Sequence, residues 1–274
     1  MLKLVECVPN FSEGTDQSLI DDIVAAVKST KILDLHSDPD HNRSVITLLA
    51  EPAKIKQAAF ELTERAMQLL DIREHTGVHP FIGVVDVIPF IPVQGITVEA
   101  TVSLAHDFGE QLWSKLKLPV FFYGQAGKQR ELPEVRKGGK PDLGERFHPT
   151  AGAVAVGVRD YLIAFNVNLK SRDLDIAKSI ASNIREKNEG LPGVRALGVE
   201  LASRGITQVT INIVDHRKTS LKQVFDEVAS WAKEYRVQII ESEIVGMIPQ
   251  EAVFEGMVEA LKLSRPLKVL RWFP

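Results

Sequence analysis

The chain has 274 residues, 45% hydrophobic and 25% charged, with a formal net charge of -3; this balance is ordinary for a soluble globular protein and suggests no disordered class. The slight acidity offers no general attraction for nucleic acid or anionic lipid, and no run reaches the roughly 18 apolar residues that span a bilayer. The one cysteine, Cys7, excludes an internal disulfide. The first residues also lack the pattern of a signal peptide. A cytoplasmic protein without nucleic-acid or membrane partners is expected, with Cys7 a small core residue. The length allows one large domain or two modest ones.

In chain order, Leu2, Leu4 and Val5 to Val8 predict a buried strand that Pro9 ends by removing a ladder donor. Gly14, Thr15 and Asp16 then open a helix whose apolar positions are Leu19, Ile20, Ile23, Val24 and Val27. Asn10, Ser12 and Glu13 thus lie at a strand's carboxyl end, where open α/β sheets place ligands, although an ordinary capped turn explains them as well. Lys31 to His36 and Ser44 to Leu49 read as strands joined by the polar loop His36-Ser37-Asp38-Pro39-Asp40-His41-Asn42-Arg43. Pro52 starts a helix with Ile55, Ala59, Leu62, Ala66 and Leu69 on one face. Gly77 and Pro80 bend the chain before a strand from Val84 to Phe90.

A helix over Val98 to Lys115 and a short strand over Pro119 to Tyr123 follow, then a long irregular region before a strand at Tyr161 to Leu169. The pattern then repeats in outline: a helix near Leu174 to Arg185, strands near Val194 to Val199 and Gln208 to Val214, a helix from Ser220 to Tyr235, a strand from Val237 to Val245, and a last helix after Pro249. The expectation is an α/β (α+β) protein of two units, 1–171 and 172–274, each a mixed sheet covered by helices.

The segment Val5-Glu6-Cys7-Val8-Pro9-Asn10-Phe11-Ser12-Glu13-Gly14 resembles the amino-terminal signature of the glutamate formiminotransferase family. Further matches follow in family order: Asn42-Arg43-Ser44, His75-Thr76-Gly77-Val78-His79-Pro80, Gly83 to Asp86, Pro89 to Val93, Tyr123-Gly124, Ala164 to Leu169, and Gln208-Val209 running into Asn212 and Asp215. The resemblance implies transfer of the formimino group of N-formiminoglutamate to tetrahydrofolate in histidine degradation. It also implies two ferredoxin-like subdomains, a homodimer, and a stand-alone transferase without the cyclodeaminase domain that animal members carry. Tetrahydrofolate is the implied co-substrate, and no metal is required.

The family's catalytic histidine is the second of its His-x-Gly-x-His-Pro motif, which implies His79 as general base. A side chain titrating near neutrality suits a reaction that removes a proton from the attacking amine and returns one to the departing nitrogen. The resemblance also places Asn10, Asn42 and Arg43 among the substrate and folate contacts, with His75 either contacting substrate or orienting His79. His36 stands where animal relatives have an aspartate that assists the catalytic histidine; it can act as a second acid/base group, Asp38 can reach the same place, or the loop is simply a turn stabilised by Asp and Asn side chains.

A basic stretch holding Lys128, Arg130, Arg136, Lys137, Lys140 and Arg146 suits acidic ligands and equally suits a solvated loop. The family's folate loop corresponds to Gly144, Glu145, Arg146, Phe147, His148, Pro149, Thr150, Ala151 and Gly152, one residue shorter than in the animal relatives, with Phe147 able to stack on the pterin. Two other chemistries compete. One is formyl transfer between a formylated folate and glutamate on the same scaffold. The other is a metal-dependent hydrolase using His36, His41, His75 and His79 with Asp38 or Asp40, which Gly77, Val78 and Pro80 disfavour because they oppose the helix that paired histidine ligands use.

Overall fold

The computed structural model describes residues 2–271. Two compact units divide between Arg159 and Asp160. The first contains β1 (Leu4–Cys7), β2 (Asn10–Phe11), α1 (Gln17–Ala25), β3 (Ile32–Asp38), β4 (Arg43–Ala50), α2 (Pro52–Leu69), β5 (Val85–Gln94), α3 (Val98–Leu116), β6 (Val120–Gly124), the single turn α4 (Leu132–Val135) and β7 (Val154–Val158).

In the first sheet, β1 and β2 lie end to end between β4 and β5, with β3 outside β4 and β7 then β6 beyond β5. The order of β3, β4, β1 with β2, and β5 is the βαββαβ ferredoxin-like arrangement, extended by two parallel strands. β1 ends at Cys7, just before Pro9, as expected, but the chain does not leave the sheet there. Val8 N donates to Pro89 O and Pro9 O accepts from Ile46 N, so the chain stays in the sheet through β2, and the missing proline N–H falls at the break between the two segments.

Strand alternation turns Val5, Cys7, Ile46, Leu48, Ile88 and Phe90 toward the helices, which answer with Ile20 and Ile23, Ile55 and Leu62, Phe108 and Leu112. Each such large apolar side chain contributes about 1.5–3 kcal/mol when fully buried. Cys7 is part of this core, and burial pushes its thiol well above the usual range. The Asp16 carboxylate caps α1 by accepting from Ser18 N and Leu19 N, which fixes where the loop after β2 becomes helix.

The second unit contains β8 (Ile163–Leu169), α5 (Leu174–Ile184), β9 (Val194–Leu201), β10 (Ile206–Ile213), α6 (Leu221–Glu234), β11 (Ile239–Val245), β12 (Ile248–Pro249), the turn α7 (Met257–Ala260) and β13 (Val269–Leu270). Its main sheet runs β11-β8-β10-β9, antiparallel throughout, again the ferredoxin-like order. Ile180, Ile184, Val224, Phe225 and Val228 pack on Phe165, Val167, Val209 and Ile211. The unit starts earlier than the change expected after residue 171, because β8 is an inner strand of this second sheet. The helix expected after Pro249 is reduced to one 3-10 turn and α7, interrupted at Gly256. Among the described residues no helix is long and apolar enough to cross a membrane.

Candidate active site

The chemistry-bearing side chains of the first unit converge where β2 finishes and β4 and β5 begin. β3 and β4 are longer than expected, so the polar loop shrinks to the turn 39–42 and His36 lies inside β3, opposite Val45. Asn42 holds that turn with a positive φ of 46°, a conformation that Asn tolerates better than most residues. Its Oδ1 accepts from Gly14 N at 2.9 Å and its Nδ2 donates to Thr76 O at 2.8 Å. One amide therefore ties together the loop after β2, the β3–β4 turn and the loop carrying His75 and His79.

Backbone packing makes the same joint tight. A Cβ on Gly14 would lie 2.2 Å from Asp38 O and 2.5 Å from Arg43 N, and one on Gly77 would lie 2.5 Å from His41 O. Only hydrogen fits at either position.

Arg43 organises the centre. Its Nε donates to Asn10 Oδ1, its Nη2 to Asp86 Oδ2, and its Nη1 lies against His79 Nδ1, each at 2.8 Å. Arg136, just after α4, donates from Nη2 to the same Asp86 oxygen at 2.5 Å, while Asp86 Oδ1 accepts from Ile82 N at 2.9 Å. Asp86 is 1% exposed; burial alone pushes its carboxyl up, but Arg43 and Arg136 outweigh that and hold it down to about 2.

His79 is half-buried. Burial, then the charges of Arg43 and Arg136, push its imidazole down to about 2 against the opposing pull of Asp86, so the ring is neutral across the physiological range. Its Nδ1 lies 2.8 Å from Arg43 Nη1 and 2.7 Å from Pro80 O. A guanidinium only donates and a carbonyl only accepts, so Nδ1 can satisfy one of them at a time. With Nδ1 accepting from Arg43 the ring proton sits on Nε2; with Nδ1–H donating to Pro80 O, Nε2 presents a lone pair.

The other residues expected at the site lie as follows. His75 Nδ1 lies 3.3 Å from Asn42 Nδ2, and the ring meets Phe81 edge-on; burial holds it below its usual value, with Glu13 opposing. His36 is buried on the sheet face shared with Val45 and Asn10. Asp38 accepts from His41 N. The rings of His41 and His79 are 6.1 Å apart, and among the described residues no three His, Cys, Asp or Glu side chains are grouped to hold a metal ion.

The 144–152 loop docks beside the segment leading into β5. His148 and Gly152 exchange both backbone hydrogen bonds, Val84 N donates to Ala151 O, and Ile72 N donates to Thr150 O. The His148 ring turns inward, its Nδ1 accepting from Ala151 N. Gly144 takes a φ of 97°, and Glu145, Arg146, Phe147 and Pro149 are exposed, with Phe147 meeting Phe121 edge-on. An exposed aromatic ring and cation on a backbone-pinned loop suit a flat ring system with an acidic tail.

Two residues of the centre had no assigned part in the sequence reading. Arg136 was one cation in a basic stretch, and Asp86 was only the end of a family match. A single carboxylate inside the apolar run Val84 to Phe90 was the available signal, since an acid there needs a buried cation.

A neutral imidazole among guanidinium groups, at the strand ends of a ferredoxin-like sheet, defines a class of site suited to proton transfer on an anionic small molecule. Comparison with known proteins gives the particular family. The profile of the formiminotransferase domain, N-terminal subdomain, matches residues 4–159, and that of the formiminotransferase domain matches residues 164–260. A glutamate formimidoyltransferase of Streptococcus pyogenes is 40% identical over 93% of this chain and 92% of its own length, and one of Thermoplasma acidophilum is 38% identical over 96% and 94%. The formimidoyltransferase-cyclodeaminase of Sus scrofa is 37% identical over 93% of this chain but only 52% of its own length. The chain belongs to the formiminotransferase family.

Proposed function

We propose that this protein transfers the formimino group of N-formimino-L-glutamate to N5 of tetrahydrofolate, giving 5-formiminotetrahydrofolate and L-glutamate, a one-carbon step of histidine degradation. The observation that carries the reading is the neutral His79 imidazole, whose Nε2 presents a lone pair when Nδ1–H donates to Pro80 O, in a chain that matches its transferase relatives almost end to end. In this reading the folate nitrogen attacks the amidine carbon, His79 Nε2 takes the proton that nitrogen loses, and the resulting imidazolium returns it to the departing glutamate nitrogen as the tetrahedral intermediate collapses. Positioned acid–base groups of this kind contribute roughly 10²- to 10⁴-fold, and alignment and charge stabilisation supply the rest.

Asn10, Asn42, Arg43 and His75 line the reacting end, and the 144–152 loop takes the folate. His36, buried in β3 on the face of Val45 and Asn10, is the second acid/base group of this reading. A homodimer and a cytoplasmic setting complete the proposal. The test is release of free glutamate from N-formiminoglutamate by purified, chelator-treated protein, with and without tetrahydrofolate. Release that requires tetrahydrofolate and survives chelation supports the transferase; release without tetrahydrofolate, or none at all, overturns it.

A further inference from the structure

Arg136 is the least explained part of the centre. Two guanidinium groups share one oxygen of one carboxylate, so the Arg43, Arg136 and Asp86 cluster keeps one positive charge uncompensated. The largest charge effects on His79 come from these three groups, and in them two guanidinium groups oppose one carboxylate. Arg136 Nε is buried without a hydrogen-bond partner among the described residues. A buried guanidinium N–H left unmade is costly and invites an acceptor.

We propose that Arg136 and Arg43, anchored on the shared Asp86 carboxylate, form the seat for a carboxylate group of the substrate beside His79, and that filling this seat switches the His79 tautomer. This rests on the transferase reading, which supplies an acidic substrate. The seated carboxylate accepts from Arg136 Nε and draws Arg43 Nη1 away from His79 Nδ1. Freed of that donor, Nδ1 carries the ring proton and donates it to Pro80 O. Nε2 loses its proton to solvent as Nδ1 gains one, so the ring stays neutral and Nε2 acquires the lone pair that a base needs. The added negative charge also offsets the guanidinium field, so the imidazolium formed during the reaction is tolerated only while the acid is in place. Base strength and substrate occupancy become one event, and an empty site does not deprotonate folate idly.

Two small acids have this chemistry: the dicarboxylate that donates the group, and the glutamyl tail of the folate. The experiment follows the ring nitrogens of His79 in ¹⁵N-histidine-labelled full-length protein at pH 7, titrated with glutarate, with p-aminobenzoylglutamate, and with sodium chloride at matched ionic strength. Wild type is expected to show Nε2 as protonated when free and Nδ1 as protonated at saturation with one of the two acids, with no response to chloride. Glutarate as the effective acid assigns the seat to the group donor, and p-aminobenzoylglutamate assigns it to the folate tail.

Arg136→Gln is expected to abolish the switch and raise KM for the acid concerned about 10- to 100-fold, and Arg136→Lys to keep the fold while restoring little of either. An unaltered switch in Arg136→Gln, or no response in wild type at saturating concentrations of both acids, overturns the seat. The two readings fail separately: a switch that depends on Arg136 without formimino transfer leaves the seat and removes the transferase, whereas transfer with an unchanged KM in Arg136→Gln does the reverse.

Discussion

Replacing Asp86 by Asn tests whether the buried charge cluster is the keystone of the first unit. Asp86 and Arg43 have side-chain exposures of 1% and 8%, and Arg136 one of 18%, so water cannot replace the lost carboxylate. An asparagine oxygen can still accept from Ile82 N, but its amide group then points N–H bonds at two guanidinium groups that also only donate. Removing one partner of a buried pair costs about 3–5 kcal/mol, a large part of a total stability of about 5–15 kcal/mol.

Urea unfolding followed by far-UV circular dichroism should show the loss directly. The pH dependence adds a second signature. The folded-state carboxyl lies near 2 against an ordinary 3.8, so in that interval the unfolded chain binds more protons than the folded one. The stabilisation is full above 3.8 and fades as pH falls through about 2. The gap between wild type and Asp86→Asn should therefore be widest near neutrality and narrow below about pH 4. A loss under about 1 kcal/mol, the scale of an exposed pair, or a gap that does not depend on pH, would refute the reasoning.

Other perturbations separate chemistry from scaffold. His79→Ala should lower kcat by roughly 10²- to 10⁴-fold while the circular dichroism spectrum and folate binding stay intact; near-normal turnover removes His79 as the base. Arg146→Ala changes an exposed side chain, so stability should move by no more than about 0.5 kcal/mol, whereas the Kd for tetrahydrofolate should weaken about tenfold; an unchanged Kd takes Arg146 out of the folate site. Gly14→Ala puts a methyl 2.2 Å from Asp38 O and should cost about 1–3 kcal/mol as overpacking does, read as a lower melting temperature together with lost turnover, and an unshifted melting curve would mean that the loop yields.

Much of this was legible beforehand. Helical spacing located α1, α2, α3, α5 and α6, because their apolar faces meet a sheet and repeat accordingly. β7 was hidden in a region read as irregular, since Val154-Ala155-Val156-Gly157-Val158 is buried along its whole length and so shows no alternation. The β3–β4 loop is shorter than the sequence predicts because His36 and Asp38 are polar residues within a strand, where polarity imitates a loop. Arg43, Asn42, His75 and His79 were visible as motif residues. The contacts that join them were not, because these are hydrogen bonds spanning 28 to 43 positions along the chain. The pairing of Arg136 with Asp86, 50 positions apart, lies further still beyond any local pattern.

The turn between β3 and β4 is gripped by bare backbone on both sides, Gly14 against Asp38 and Arg43, Gly77 against His41. Such contacts have no side-chain torsions to relax, so this wall of the site has no slack with which to fold around a ligand. Adjustment is left to the rotamers of Arg43 and Arg136 and to the exposed tip of the 144–152 loop. Under the proposed function, redesign for a different pterin has its freedom at that loop tip, in exposed side chains that can be exchanged without moving the main chain that carries the imidazole.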